Sequence, residues 1–178
     1  FLRSVNASNP QDNAWAKLGR SEISAAEFDR QFADEAAALG HRVPGAHILA
    51  LLVGEIRPEM VALLDRVKAA GYKVACLTNN VVSADSAATH PPQRAAALAE
   101  VMARFDDIVE SSKVGVRKPE PRFYEIACER LGVTPDECVF LDDLGVNLKP
   151  AAQMGMATIK VTSAQQAIDE LVGLLWPC

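Results

Sequence analysis

The hydrophobic positions of the chain follow one period before residue 56 and another after it. In the first part, apolar residues recur at helical spacing from residue 11 to about residue 53. Ser24 and Glu27 form a capping box that predicts the start of one helix, and Pro44 predicts the start of another. No strand pattern separates these helices. Residues 1–56 are therefore predicted to form a small helical lobe.

Three aromatic residues lie in this lobe: Trp15, Phe28 and Phe32. Their helical spacing predicts packing in a small core, and lining of a substrate pocket is the alternative.

After residue 56, short apolar runs alternate with helical patterns. Strands are predicted at 73–77, 107–110, 138–141 and 157–161, with helices at 57–71, 93–103, 120–131, 146–154 and 163–175. Residues 81–91 are predicted to form a loop. Strands that alternate with helices in this way favour an α/β fold with a doubly wound parallel sheet.

Composition and charge exclude several classes of protein. A chain of 178 residues that is 49% hydrophobic can bury one good core. A net charge of -5 argues against a nucleic-acid surface, and no apolar run is long enough to span a membrane. The four cysteines are scattered without metal-ligand spacing, which favours a reducing, cytoplasmic location. The three histidines are too dispersed for a metal site.

Polar residues follow three of the predicted strands. Thr78 and Asn79 end the first, Lys118 lies in the loop after the second, and Asp142 with Asp143 ends the third. Ligands of open α/β sheets bind beyond the carboxyl ends of the strands. A hydroxyl, an ammonium group and a carboxylate pair suit a phosphoryl group bound with Mg²⁺.

Each of these signals has a structural alternative. Asn79 favours a turn, Lys118 could be solvated ahead of a helix, and Asp143 could cap the helix that follows. A helix cap explains one aspartate but not two adjacent ones, so metal binding is the preferred hypothesis. The three signals also occur in order at successive strand ends, which is more specific than any of them alone.

Three segments resemble motifs of the haloacid dehalogenase-like (HAD) hydrolases. They are Leu77-Thr78-Asn79-Asn80, Ser112 to Pro119, and Phe140-Leu141-Asp142-Asp143. The likeness is greatest to the phosphatase-like domain at the N-terminus of soluble epoxide hydrolases. It implies a helical cap over residues 1–56 and a HAD-like α/β core over residues 57–178.

The resemblance also implies roles for individual residues. Thr78 and Asn79 would bind the phosphoryl group, and Lys118 would stabilise it. Asp143 would be a direct Mg²⁺ ligand, with Asp142 assisting through the metal shell. Asn147 would orient the acidic loop.

One motif of the family is missing from the sequence. HAD enzymes begin with a strand that ends in Asp-x-Asp, whose first Asp is the nucleophile. Asp106-Asp107 lies between a helix and a strand, which is the wrong context. In this family the missing strand lies mid-sheet, and each buried backbone group left unpaired there costs about 1–3 kcal/mol. We therefore expect the nucleophile and one metal ligand to lie before Phe1, and residues 1–178 alone to be inactive.

The expected activity is Mg²⁺-dependent hydrolysis of a small phosphate monoester through an aspartyl-phosphate. One alternative is a metal-independent 2-haloacid dehalogenase, against which the adjacent aspartates weigh. Another is a non-catalytic HAD-like binding or regulatory module. The sequence does not identify the substrate, and apolar faces on the helical lobe are compatible with a homodimer.

Overall fold

The structure is a computed structural model that describes residues 4–5, 8–51, 55–80 and 92–177. The loop predicted at 81–91 and the end of the helix predicted to start at Pro44 lie outside the described residues. The chain divides into two compact units. The described residues of 1–55, with Asn79, Asn80 and 110–117, form the first unit, and those of 56–78, 92–109 and 118–177 form the second. The predicted boundary at residue 56 falls within one residue of this division, whereas 79–80 and 110–117 had been assigned to the core.

Between residues 8 and 51, the described part of the first unit contains the helices α1 (Ala14–Gly19), α2 (Ala25–Ala38) and α3 (Gly45–Ala50). The predicted capping box starts α2, since Ser24 Oγ accepts from the Glu27 amide and Glu27 accepts from the Ser24 amide. Phe28 and Phe32 are fully buried in the core of this unit. Trp15 packs edge-on against Phe28, with 5.3 Å between ring centroids. These aromatic residues are packed in a core, as their spacing predicts.

The alternation of strands and helices after residue 56 is confirmed. The elements are α4 (Pro58–Ala69), β1 (Ala75–Thr78), α5 (Pro92–Met102), β2 (Asp107–Glu110), α6 (Ser111–Val114), α7 (Pro121–Leu131), a 3-10 turn (Pro135–Glu137), β3 (Val139–Asp142), α8 (Gly145–Gln153), β4 (Ala157–Lys160) and α9 (Ala164–Leu175). All the predicted bounds of these helices and strands agree within two residues. The short helix α6 stands where a polar loop was predicted. In the described part of the chain, no helix combines the length and apolar character needed to cross a bilayer.

In the described part of the chain, the strands form two pairs, β1 with β2 and β3 with β4. Strands β3 and β4 are parallel, and the register places Val139 opposite Ala157 and Asp142 opposite Lys160. Buried side chains of α4, β4 and α9 form the core of the second unit: Leu63, Val67, Ile159 and Leu171. Helices α4 and α9 thus pack their apolar faces against β4, as expected for an α/β fold.

A cavity of about 680 Å³ lies within the second unit. Residues of β1 and β3 line it together with apolar side chains of α4, α7 and α9.

Candidate active site

The site is organised around Asp142, the last residue of β3. Its side chain is 5% exposed and both carboxylate oxygens accept hydrogen bonds. Oδ1 accepts from the Leu144 amide at 2.8 Å and from Asn147 Nδ2 at 2.9 Å, and Oδ2 accepts from Lys118 Nζ at 2.7 Å. A buried carboxylate requires this kind of pairing, because an unpaired buried charge is strongly destabilising. Three donors therefore hold Asp142 in one orientation.

Lys118 supplies the charge that balances Asp142. It lies three residues before α7, and its side chain is only 13% exposed. Its ammonium group also lies 5.7 Å from the centre of the Phe140 ring, within the range of a cation–π contact. The ion pair joins residues 24 positions apart and fixes the loop before α7 to the end of β3.

Asn147 and Tyr124 form hydrogen bonds that stabilise the position of Asp142. Asn147, in the first turn of α8, is buried and donates to Asp142. Its own carbonyl accepts a 2.6 Å hydrogen bond from the hydroxyl of Tyr124, which is fully buried on α7. Burial raises the pKa of Tyr124, and the negative charge of Asp142 raises it further, so the hydroxyl stays protonated and donates. Tyr124 also packs edge-on against Phe140, with 5.3 Å between ring centroids.

Asp143 has the opposite environment, because its side chain is exposed to solvent. Helix α8 has Leu144 at its N-cap and no side-chain capping bond, so Asp143 does not cap the helix. An exposed carboxylate beside a buried one fits Mg²⁺, which is bound through one or two carboxylates and keeps several water ligands. Among the described residues, no group of three or more His, Cys, Asp or Glu side chains is placed to hold a metal. The metal role of Asp142 and Asp143 therefore stays a prediction.

Thr78 ends β1 and is half-buried, and Asn79 follows it. Over the described residues, no hydrogen bond joins Thr78 to Lys118 or to either aspartate. The structure thus brings Lys118 and Asp142 into contact and does not show Thr78 in direct contact with them.

Asn80 has a structural role that sequence reasoning missed. Its side chain donates to Glu110 Oε1 at 2.7 Å and accepts from the Ser112 hydroxyl at 2.8 Å. Its carbonyl accepts from the Ser111 hydroxyl at 3.3 Å. Asn80 therefore ties the segment after β1 to the start of α6. In the sequence, the only indication of the Asn80 contacts was an amide side chain at a strand end. No sequence pattern indicated the hydrogen bond of Tyr124.

The parallel pair of β3 and β4 and the helices that pack on it define an α/β fold of the HAD-like kind. Residues 5–155 match the family model described as haloacid dehalogenase-like hydrolase. The chain belongs to this family, as the motifs predicted.

Comparison with known proteins gives relatives of several kinds. The chain is 34% identical to acyl-CoA dehydrogenase family member 10 of Mus musculus over 90% of its length and 15% of that protein. It is 33% identical to bifunctional epoxide hydrolase 2 of Sus scrofa over 96% of its length and 32% of that protein. The chain thus spans a third or less of these relatives. A solved HAD family enzyme of Bacteroides thetaiotaomicron, in complex with magnesium and inorganic phosphate, has the same fold: the TM-score is 0.58 at 22% identity, over 84% of this chain and 74% of that one.

Proposed function

We propose that residues 1–178 supply the cationic and metal-binding part of an enzyme that hydrolyses small phosphate monoesters with Mg²⁺. The observation that carries the proposal is the end of β3, where buried Asp142 is paired with Lys118 and the next residue, Asp143, is exposed. A lysine and a carboxylate pair at one strand end suit a group that carries negative charge and is bound with a hard cation.

Each residue has a distinct role in this proposal. Asp143 ligates Mg²⁺ directly, and Asp142 completes the site through the metal shell while it holds Lys118 in place. Bound Mg²⁺ would neutralise charge on the phosphate oxygens. Thr78 and Asn79 donate hydrogen bonds to the phosphoryl group. Lys118 stabilises the negative charge on the phosphoryl group and on the attacking carboxylate.

The nucleophile in this proposal comes from polypeptide outside residues 1–178. Both oxygens of Asp142 are engaged by donors, which leaves this carboxylate poorly placed to attack phosphorus. An incoming carboxylate would form a bond to phosphorus as the ester P–O bond breaks, and the alcohol would leave with a proton from a general acid that, like the nucleophile, is supplied from outside residues 1–178. Water would then cleave the acyl phosphate and regenerate the carboxylate.

The test uses full-length protein, p-nitrophenyl phosphate and Mg²⁺. We expect turnover that EDTA abolishes and that Asp143→Ala reduces at least about 100-fold, since a metal ligand is lost. The matched control is Asp169→Ala, which removes an exposed carboxylate from α9 and should leave turnover unchanged. Undiminished turnover in Asp143→Ala, or turnover by residues 1–178 alone, would contradict the proposal.

Two further measurements separate the alternatives. Halide release from a 2-halo acid that persists in EDTA would favour a metal-independent dehalogenase. Calorimetric titration of inorganic phosphate tests binding apart from catalysis. We expect binding that needs Mg²⁺ and Asp143. Such binding without turnover by the full-length protein would favour a non-catalytic module.

A further inference from the structure

Cys128 of α7 and Cys138, which directly precedes β3, carry two thiols that the proposed phosphate chemistry does not use. Cys128 is buried, Cys138 is half-buried, and both are free thiols. A side-chain hydrogen bond links the two thiols, and Cys138 Sγ also lies 3.3 Å from the carbonyl oxygen of Thr134. Both cysteines line the cavity of the second unit, so their side chains face the same space. The two sulfur atoms are therefore neighbours, although they belong to different elements.

This contact follows from the register of α7 on β3. Tyr124 and Cys128 are one helical turn apart on the same face of α7, which separates them by about 6 Å along the helix axis. Cys138 has extended backbone angles and its carbonyl accepts from the Ala157 amide at 3.0 Å, so it continues β3 by one residue. Cys138 and Phe140 therefore lie on the same face of the strand, about 6.6 Å apart. Because the two spacings match, the packing of the two aromatic rings also brings the two thiols together.

We propose that Cys128 and Cys138 are a site of reversible oxidation, at which glutathione disulfide converts the two thiols into a disulfide that joins α7 to β3. The thiolate of Cys138, the more exposed of the two, forms a bond to one sulfur of glutathione disulfide, and one glutathione thiolate leaves. The thiolate of Cys128 then attacks Cys138 Sγ, and the second glutathione thiolate leaves. The departing thiolates take up the two protons that the cysteines lose. The pair is thus oxidised by two electrons, and glutathione disulfide is reduced to two glutathione molecules.

The cross-link joins the two elements that support the candidate active site. Tyr124, one turn before Cys128, donates to the carbonyl of Asn147, and Asp142 ends the strand that follows Cys138. A disulfide stabilises a fold mainly because it restricts the unfolded chain. We therefore expect the oxidised protein to resist unfolding better than the reduced protein. This proposal does not depend on the metal and phosphate chemistry proposed above.

Burial and neighbouring charges make this reaction slow at neutral pH. Burial raises the pKa of Cys138 to about 11 and also raises the pKa of Cys128. The carboxylates of Glu137 and Asp136 raise the pKa of Cys138 further, and Glu129 does so for Cys128. Below these pKa values the thiolate fraction increases about tenfold per pH unit, so oxidation should be about tenfold faster at pH 9 than at pH 8. A thiolate of high pKa is also a poor leaving group, so the disulfide should be reduced slowly once it has formed.

The test exposes the full-length protein to glutathione disulfide and maps its cysteines by mass spectrometry after tryptic digestion without reduction. Trypsin cleaves after Arg130, between the two cysteines, and does not cleave before Pro150, so the disulfide joins the peptides 123–130 and 131–160. We expect this joined pair, lighter by the two hydrogen atoms lost, and we expect dithiothreitol to separate it. In a glutathione buffer at equilibrium, the ratio of disulfide to dithiol should be at least about tenfold higher in folded than in urea-unfolded protein. By linkage, oxidation should raise the midpoint of urea unfolding by at least about 0.7 M.

Single-cysteine variants provide the controls. Cys128→Ala and Cys138→Ala should each abolish the joined peptides and the midpoint shift, whereas Cys76→Ala, which removes a half-buried thiol from β1, should keep both. Each variant is compared with itself before and after oxidation, so the effect of the substitution on stability cancels. Three results would overturn the proposal: cysteines that stay reduced or carry only glutathione at equilibrium, a cross-link confined to unfolded protein, and a cross-link that lowers the midpoint of unfolding.

Discussion

Replacing Lys118 by Met would remove the cation from the buried ion pair and leave the carboxylate of Asp142 in place. At the observed 2.7 Å and an effective dielectric constant of about 20, the attraction between the two charges is about 6 kcal/mol. Desolvation of the two groups, which are 13% and 5% exposed, offsets several kcal/mol of this. Removing one member of a buried pair typically destabilises a protein by about 3–5 kcal/mol.

The remaining contacts of Asp142 place Lys118→Met at the lower end of that range. The Leu144 amide and Asn147 continue to donate to Oδ1, so the carboxylate keeps two of its three partners. We expect a loss of about 3 kcal/mol for Lys118→Met. Asp142→Asn should cost a similar amount, because an amide then faces the buried ammonium group.

The double variant distinguishes a real interaction from two independent losses. If the pair stabilises the fold, the double variant should lose only about 3–4 kcal/mol, which corresponds to a coupling energy of about 2–3 kcal/mol. Urea unfolding followed by circular dichroism measures each free energy, and a loss of about 3 kcal/mol lowers the midpoint by about 1.5 M for a slope near 2 kcal/mol/M. The control cycle uses the exposed pair of Arg122 and Glu129, for which we expect a coupling energy of at most about 1 kcal/mol. Additive losses at Lys118 and Asp142 would refute the reasoning.

Three further predictions concern the surroundings of the site and the packing of each unit. Tyr124→Phe removes the hydroxyl that donates to the buried carbonyl of Asn147 and should lower the unfolding free energy by about 1 kcal/mol in a urea titration. An unchanged midpoint would mean that the hydroxyl is dispensable. Burial raises the pKa of Cys138 to about 11. Alkylation of Cys138 by iodoacetamide at pH 8 should therefore be about 100-fold slower in the folded protein than in urea-unfolded protein, and its rate should increase with pH until about 11. Equal rates in the two states would exclude a raised pKa. Gly45→Ala brings a Cβ within 2.8 Å of an aromatic ring on α2 and should cost about 1–3 kcal/mol. Gly173→Ala, whose Cβ meets no atom within 4 Å, should instead stabilise α9 by up to about 1 kcal/mol, and thermal unfolding of both variants checks the contrast.

The order and type of the elements could be predicted from the sequence because local patterns determine them. Strand β2 was predicted at 107–110, and the structure has it at Asp107–Glu110. Ser24 and Glu27 form the predicted capping box because both partners of its hydrogen bonds lie within one helical turn. Helix α6 was missed because its four residues, Ser-Ser-Lys-Val, have no helical hydrophobic period, and its position depends on contacts with Asn80 from a distant part of the chain.

Adjacent residues of the same type show what the sequence could not decide. Asp142 and Asp143 are chemically identical, and the alternation of a strand predicts only that they face different ways. The tertiary structure determines which one is buried, because Lys118, Asn147 and the Leu144 amide converge on Asp142 and leave Asp143 in solvent. The partners Lys118 and Tyr124 are separated from the groups that they bind by 24 and 23 positions, and no local pattern specifies contacts over such distances. The sequence by itself therefore determined the family, the strand ends and the residue types of the site, whereas packing between distant segments decided how each charged group is paired.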